Sequence, residues 1–169
     1  MSTTETERHT LTVLVDNEAG VLARVVGLFS GRGYNIESLT VAEVDPMART
    51  SRITIVTSGT PAVIEQIETQ LRRLVPTHKV TNWTAAKAGI EREMALIKVA
   101  GTGDKRMEAL RMADAFRARP VDTTHASFVF EITGAPAKID SFVELMRPLG
   151  LVEVSRTGVA AISRGPEAM

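Results

Sequence analysis

The side chains best suited to proton transfer or metal binding are three histidines, His9, His78 and His125. They are far apart in the sequence and show no His-x-x-x-His spacing, so they read as strand-end or surface residues rather than ligands. Cysteine is absent, which removes disulfides, thiolate metal sites and cysteine nucleophiles together. Gly101-Thr102-Gly103 sits between a strand-like and a helix-like run, but the third glycine of a dinucleotide loop is missing, and a plain turn accounts for it. Ser163-Arg164-Gly165 has no nucleophile-elbow pattern. Glu65, Glu68, Arg72 and Arg73 fall on the exposed side of a helix as weak ion pairs. No acid, base, nucleophile or metal cluster converges.

The distinctive stretch is Val15–Leu39, "VDNEAGVLARVVGLFSGRGYNIESL", with two asparagines, Asn17 and Asn35, and four glycines. One reading is structural: Asp16-Asn17 makes a turn and cap, and Gly31 and Gly33 end a helix. The other is a ligand seat. A helix start offers free N–H groups and a positive dipole to a carboxylate. Gly20 lets a ligand approach the backbone, and each amide both donates and accepts. Residue pattern alone leaves the two open.

Bulk properties narrow the partners. The 169 residues carry 20 basic and 20 acidic side chains, for a formal charge of zero, and no basic face stands out to hold nucleic acid. Aromatic residues are 4%, too few for base-stacking platforms. The start, MSTTETERHT, lacks the basic and apolar regions of a signal peptide. No apolar run is long enough for a bilayer. A cytoplasmic location is expected.

The elements that must position Asn17 and Asn35 follow from periodicity. Leu11, Val13 and Val15 alternate in a strand over His9–Val15. Val21, Leu22, Val25, Val26, Leu28 and Phe29 give a helix that stops at the glycines. Strands are predicted over Ile36–Val44 and Arg52–Thr57, separated by the Asp45-Pro46 turn. Thr60-Pro61 caps a second helix, which Pro76 closes, and Lys79–Trp83 is a fourth strand. After a polar connector, Thr84–Glu91, the order repeats. A strand spans Met94–Val99 and a helix Asp104–Arg119. Strands over Val121–Thr124 and Phe128–Thr133 precede a helix from Pro136. The last strand is Leu151–Ser155, with a short extension at Val159–Ser163.

The fold class is therefore α+β: two ferredoxin-like βαββαβ domains with antiparallel sheets and helices on one face. The boundaries are 1–83, a linker at 84–91, and 92–169. A sheet covered on one side must keep its other face polar or find cover. Thr10, Thr12, Leu14, Thr54 and Val56 are neither clearly wet nor clearly dry. That and the small size of each unit point to pairing between chains as a homodimer.

"LTVLVDNEAGVLARVVGLFSGRGYNIESLTV" resembles the ACT domain of the small regulatory subunit of acetolactate synthase (acetohydroxyacid synthase). "SRITI", "IEQIETQLRRLV", "REMALIKV" and "VEVSRTGVAAISRG" extend the likeness over nearly the whole chain. The resemblance implies a regulatory subunit with no active site of its own, in valine, leucine and isoleucine biosynthesis. Such a subunit activates the large catalytic subunit and confers feedback inhibition, commonly by valine. Thiamine diphosphate, Mg and usually FAD are then the catalytic partner's, and this chain carries no cofactor or metal. ACT domains pair across chains with effectors at the interface. Carried over, the effector-site positions are Asn17, Ala19, Gly20, Val21, Leu22, Asn35 and Ile36. Ala23 stands where relatives carry serine, so a hydroxyl contact is missing. A free-standing amino-acid sensor acting on another partner is the alternative. The terminal "SRTGVAAISRG" weighs against it.

Overall fold

The computed structural model describes residues 5–169; the polar start at residues 1–4 lies outside the described residues. The chain forms two compact units, one running to Ile90 and taking in Val159–Met169, the other Glu91–Gly158. No helix among the described residues is long and apolar enough to cross a membrane.

In the first unit β1 (Glu7–Asp16), α1 (Val21–Arg32), β2 (Ser38–Asp45), β3 (Thr50–Gly59), α2 (Pro61–Arg73) and β4 (Thr77–Asn82) build an antiparallel sheet of order β2-β3-β1-β4. This is the βαββαβ arrangement predicted from periodicity, with each strand a residue or two longer or shifted. Leu11 pairs with Ile55 and Val13 with Ile53. These four share a face, on which Val21, Val25, Leu28 and Phe29 of α1 and Ile64, Ile67 and Leu71 of α2 pack. The i, i+4, i+7, i+8 spacing on α1 and the Thr60 cap, whose Oγ1 accepts from Val63 N–H at 3.4 Å, are the signals that fixed both helices.

The opposite face finds cover inside the chain. Thr10, Thr12, Thr54 and Val56 are all buried. Asn82 caps a short turn, α3 (Trp83–Ala86), by accepting from Ala85 N–H at 3.1 Å. The turn brings Trp83 Nε1 to Thr12 Oγ1 at 2.7 Å, and Thr12 Oγ1 lies 3.3 Å from Thr54 Oγ1. The final segment, read from the sequence as the end of the second domain, packs with this unit. Val159 N–H donates to Ser38 Oγ at 3.2 Å, and Arg52 Nη2 donates to the Ala161 carbonyl at 2.7 Å. Val159 and Ala161 are buried, and the Arg52 guanidinium lies 5.9 Å from the Trp83 ring centroid. Burial pushes that guanidinium below its ordinary pKa. The mixed composition of this face is thus what an intrachain lid requires: hydroxyls to take hydrogen bonds and apolar surface to bury.

The second unit contains most of β5 (Gly89–Ala100), then α4 (Gly103–Ala115), β6 (Arg119–Thr123), β7 (Ser127–Gly134), α5 (Pro136–Met146) and β8 (Leu151–Arg156), with order β6-β7-β5-β8. Ile97, Phe130, Ile132, Ile139, Phe142 and Met146 form its core. Helix α4 stops at Ala115, four residues short of the predicted Arg119. Arg117 adopts the left-handed region at φ 57°, and Ala118 N–H bonds back to the Ala113 carbonyl at 2.8 Å. The αL turn ends the helix before Pro120 can. Glu93 is almost fully buried and is held by Arg156, which also reaches Asp140 at 2.6 Å. The hydrogen bond that Arg156 donates to Glu93 is the main reason its guanidinium sits above its ordinary pKa.

Two stability tests follow. Trp83→Phe keeps an aromatic ring but loses the Thr12 hydrogen bond and part of the buried indole, so it should cost about 1–3 kcal/mol, whereas Trp83→Ala should cost about 3–5 kcal/mol. Arg156→Met leaves Glu93 buried without its partner and should cost about 3–5 kcal/mol. Urea melts of the full chain measure all three; a Trp83→Ala chain as stable as the parent would show that the lid contributes nothing.

Candidate effector site

The loop between β1 and α1 is tied down by its backbone. Asp16 N–H donates to the Pro76 carbonyl at 3.1 Å, Asn17 N–H to the Arg49 carbonyl at 2.7 Å, and Glu18 N–H to the Asp16 carbonyl at 2.9 Å. His78 Nε2 donates to Asp16 Oδ1 at 2.5 Å. The loop turns into α1 at Gly20, whose φ of 85° and ψ of −4° are left-handed. Only glycine adopts that conformation without cost. Gly20 has no side chain to cap the helix, and among the described residues the N–H groups of Leu22 and Ala23 have no hydrogen-bond partner. These are the free donors of a helix start. Before Gly20, the loop forms a recess of about 440 Å³ with the β2–β3 hairpin, lined by Asp16, Asn17, Glu18, Ala19, Ala48 and Arg49. It offers an amide, carboxylates and a guanidinium, groups that suit a zwitterion.

The other asparagine lies at the far end of α1. Gly33 takes the left-handed cap at φ 68°, Tyr34 N–H returns to the Phe29 carbonyl at 2.9 Å, and the Tyr34 ring packs edge-on to Phe29. The chain then delivers Asn35, whose carbonyl accepts from Thr57 Oγ1 at 2.6 Å. The Asn17 and Asn35 side chains are both exposed and, among the described residues, neither amide makes a hydrogen bond. Twelve helical residues separate them, about 18 Å at 1.5 Å per residue. Within one chain the two amides do not meet. Val21 is buried in the core and Ile36 packs against it half-buried, while Leu22 is 42% exposed and Ala19 is exposed. Leu22 is therefore the apolar side chain here that is free to touch a ligand. Sequence reasoning did not single out Arg49 or Ala48. They reach the recess through the β2–β3 hairpin, and only the Asn17–Arg49 bond reveals that.

The histidines stay apart. His9 Nδ1 lies 3.2 Å from Asn82 Oδ1 on the first sheet, His78 is bound to Asp16, and His125 is exposed on a turn of the second unit. Among the described residues no group of three His, Cys, Asp or Glu side chains is placed to hold a metal ion. Gly101-Thr102-Gly103 leads from β5 into α4 within an antiparallel sheet, not a parallel βαβ unit.

Two ferredoxin-like units, the first with a glycine-started helix and polar loop, define an ACT-domain protein. Residues 11–79 match the family model described as the AHAS small subunit-like ACT domain, and residues 92–165 match that described as the small subunit of acetolactate synthase. The chain is 44% identical over 163 residues to the acetolactate synthase isozyme 3 small subunit of Escherichia coli, covering 96% of this chain and 99% of that one. It is 45% identical to the acetolactate synthase small subunit of Haemophilus influenzae, covering 94% and 96%. The crystal structure of the Thermotoga maritima acetolactate synthase small subunit superposes with a TM-score of 0.81 at 38% identity, over 95% of this chain and 99% of that chain. The chain belongs to the acetolactate synthase small-subunit family.

Gly20 gives a direct test of its backbone role. A Cβ built there meets nothing within 4 Å, so any cost of substitution within the chain is conformational. Gly20→Ala should destabilise by about 1–2 kcal/mol, and Gly20→Asn, which tolerates the left-handed region, by less. Thermal melts compare them; equal stability of Gly20→Ala and the parent would contradict the left-handed assignment.

Proposed function

We propose that this chain is the regulatory subunit of acetolactate synthase. It activates the large catalytic subunit and confers feedback inhibition by a branched-chain amino acid, valine, in valine, leucine and isoleucine synthesis. Thiamine diphosphate, Mg and FAD belong to the catalytic partner in this reading, and the chain works in the cytoplasm. The observation that carries it is the pair of unpaired asparagine amides at opposite ends of α1.

Strand β2 is a sheet edge, with Val41 43% and Val44 49% exposed. Its start, Ser38, is level with Val56 and hence Thr10. Its end, Asp45, is level with Thr50 and hence Asp16. If two copies pair along β2 about a two-fold axis, the start of each β2 lies beside the end of the other. Asn35 of one protomer then approaches the Asn17 loop of its partner, twice. Each such site would present an amide from both chains, the free N–H groups at Leu22 and Ala23, and the exposed Leu22 side chain. The N–H groups and amides read the carboxylate and ammonium, and Leu22 receives the isopropyl group. Ala19, Gly20, Val21 and Ile36 shape the walls. Binding there shifts the assembly if affinity differs between its quaternary states.

The purified chain should form no acetolactate from pyruvate even with thiamine diphosphate and Mg supplied, and should raise the rate when added to the catalytic subunit. Gly20→Asp should abolish valine inhibition and leave activation largely intact. Its carboxylate near that of valine costs on the order of 1–4 kcal/mol, a roughly tenfold to thousandfold loss of affinity. Asn17→Ala and Asn35→Ala should each weaken valine binding. Mixed dimers of these two variants rebuild one intact site from the wild-type amides, so an equimolar mixture should regain about a quarter of the binding sites of the parent. No recovery on mixing, with each single variant defective, would overturn the shared-site reading. A Gly20→Asp chain that folds and stays valine-sensitive would place the effector elsewhere.

A further inference from the structure

A recess of the second unit, about 580 Å³, has no part in the regulatory reading and is strongly cationic. Arg92, Arg117, Arg119 and Lys138 line it, with Glu131 as the one acid. Four cations to one carboxylate is a local excess in a chain whose formal charge is zero. Arg119 and Glu131 are register partners across β6 and β7 and neutralise each other at 3.0 Å. Among the described residues Arg92, Arg117 and Lys138 have no carboxylate partner. Lys138 Nζ instead donates to the Thr133 carbonyl at 3.3 Å, and its stem lies across Gly134, where a Cβ would stand 2.6 Å from Lys138 Cδ. Arg92 Nη1 donates to the Glu91 carbonyl at 2.7 Å.

Arg117 carries a second signal. It occupies the left-handed position that closes α4, at φ 57°, where glycine or asparagine is the unstrained choice. Holding an arginine there has a conformational cost, and strain of that kind collects at functional positions. Arg117 is exposed and lines the recess with Arg92 and Lys138. Unneutralised cations gathered around one concavity repel each other unless an anion joins them. Guanidinium forks match the oxygens of a phosphoryl group bidentately, and the ammonium adds a point charge. The recess is also within the size range of small-molecule sites.

We propose that this recess of the C-terminal unit binds a small polyanion, specifically a diphosphate group, free or carried on an organic molecule, through Arg92, Arg117 and Lys138. This is a second ligand site, separate from the effector loop and independent of the regulatory reading.

Titration calorimetry of the full chain at low ionic strength tests it, with inorganic pyrophosphate, inorganic phosphate and methyl diphosphate as probes. Pyrophosphate should bind once per chain and at least about tenfold more tightly than phosphate, since a second phosphoryl group engages a further charge-assisted pair. R117Q and K138Q should each weaken it by about tenfold without lowering the melting temperature. R117G should also lose binding while melting no lower than the parent, because it relieves the left-handed strain. Methyl diphosphate binding as well as pyrophosphate means that an organic carrier is accepted; binding of pyrophosphate alone means that the free anion is the ligand. Absence of heat with pyrophosphate, equal affinity for phosphate, or unchanged affinity in both R117Q and K138Q overturns the proposal. So does an acidic peptide that binds in an Arg117-dependent way where pyrophosphate does not, since the recess is then a protein-docking surface.

Discussion

The hydrogen bond from Trp83 to Thr12 marks the constraint on which the first unit rests. A four-stranded sheet with both helices on one side leaves a second face that water would otherwise solvate. Here that face carries hydroxyls at Thr10, Thr12 and Thr54 between apolar residues, all of them buried. Burying a hydroxyl without a partner costs more than the hydrogen bond returns. The lid therefore has to bring donors and acceptors as well as bulk. Trp83 supplies an indole N–H, and the final segment supplies the Ala161 carbonyl to Arg52 and takes Ser38 Oγ as acceptor for Val159. With that face covered by its own chain, the unpaired β2 edge stays open, with Val41 and Val44 exposed.

The loop between β1 and α1 obeys a different logic. Three backbone bonds and the His78–Asp16 pair fix its position, yet the atoms suited to a ligand are left unsatisfied. Gly20 reconciles the two demands. Its left-handed turn leads the loop into α1 while contributing no side chain and no cap of its own. A serine or aspartate cap would satisfy one of those N–H groups internally and leave fewer free donors at the helix start.

The sequence carried the element order well because each helix and strand had its own period: Val21, Val25, Leu28 and Phe29 on α1, Phe128, Phe130 and Ile132 on β7. Ends decided by backbone conformation were harder. Arg117 ends α4 in a left-handed turn that glycine would have announced and arginine conceals. The outer face of the first sheet read as ambiguous because its cover is remote in sequence: Ser38 and Val159 are 121 residues apart. The loop around Asn17 and Gly20 was readable, since polar and glycine residues interrupt strong apolar patterns there. That Asn17 and Asn35 occupy opposite ends of one helix follows from helix length alone. Arg49 joins that site only through the hairpin return from β2 to β3.

The lid has a further consequence, for synthesis. The four-stranded sheet and two long helices of the first unit are complete at Asn82, but Val159 and Ala161, which help close its outer face, leave the ribosome only after the whole second unit. At about 5–20 residues per second the nascent sheet waits several seconds with that face open. During that interval Ser38 and the Arg52 guanidinium lack the partners that Val159 and Ala161 supply, and that part of the face is accessible to chaperones or to a neighbouring nascent chain. A chain stalled before residue 159 holds every element of the ACT unit and still lacks its seal.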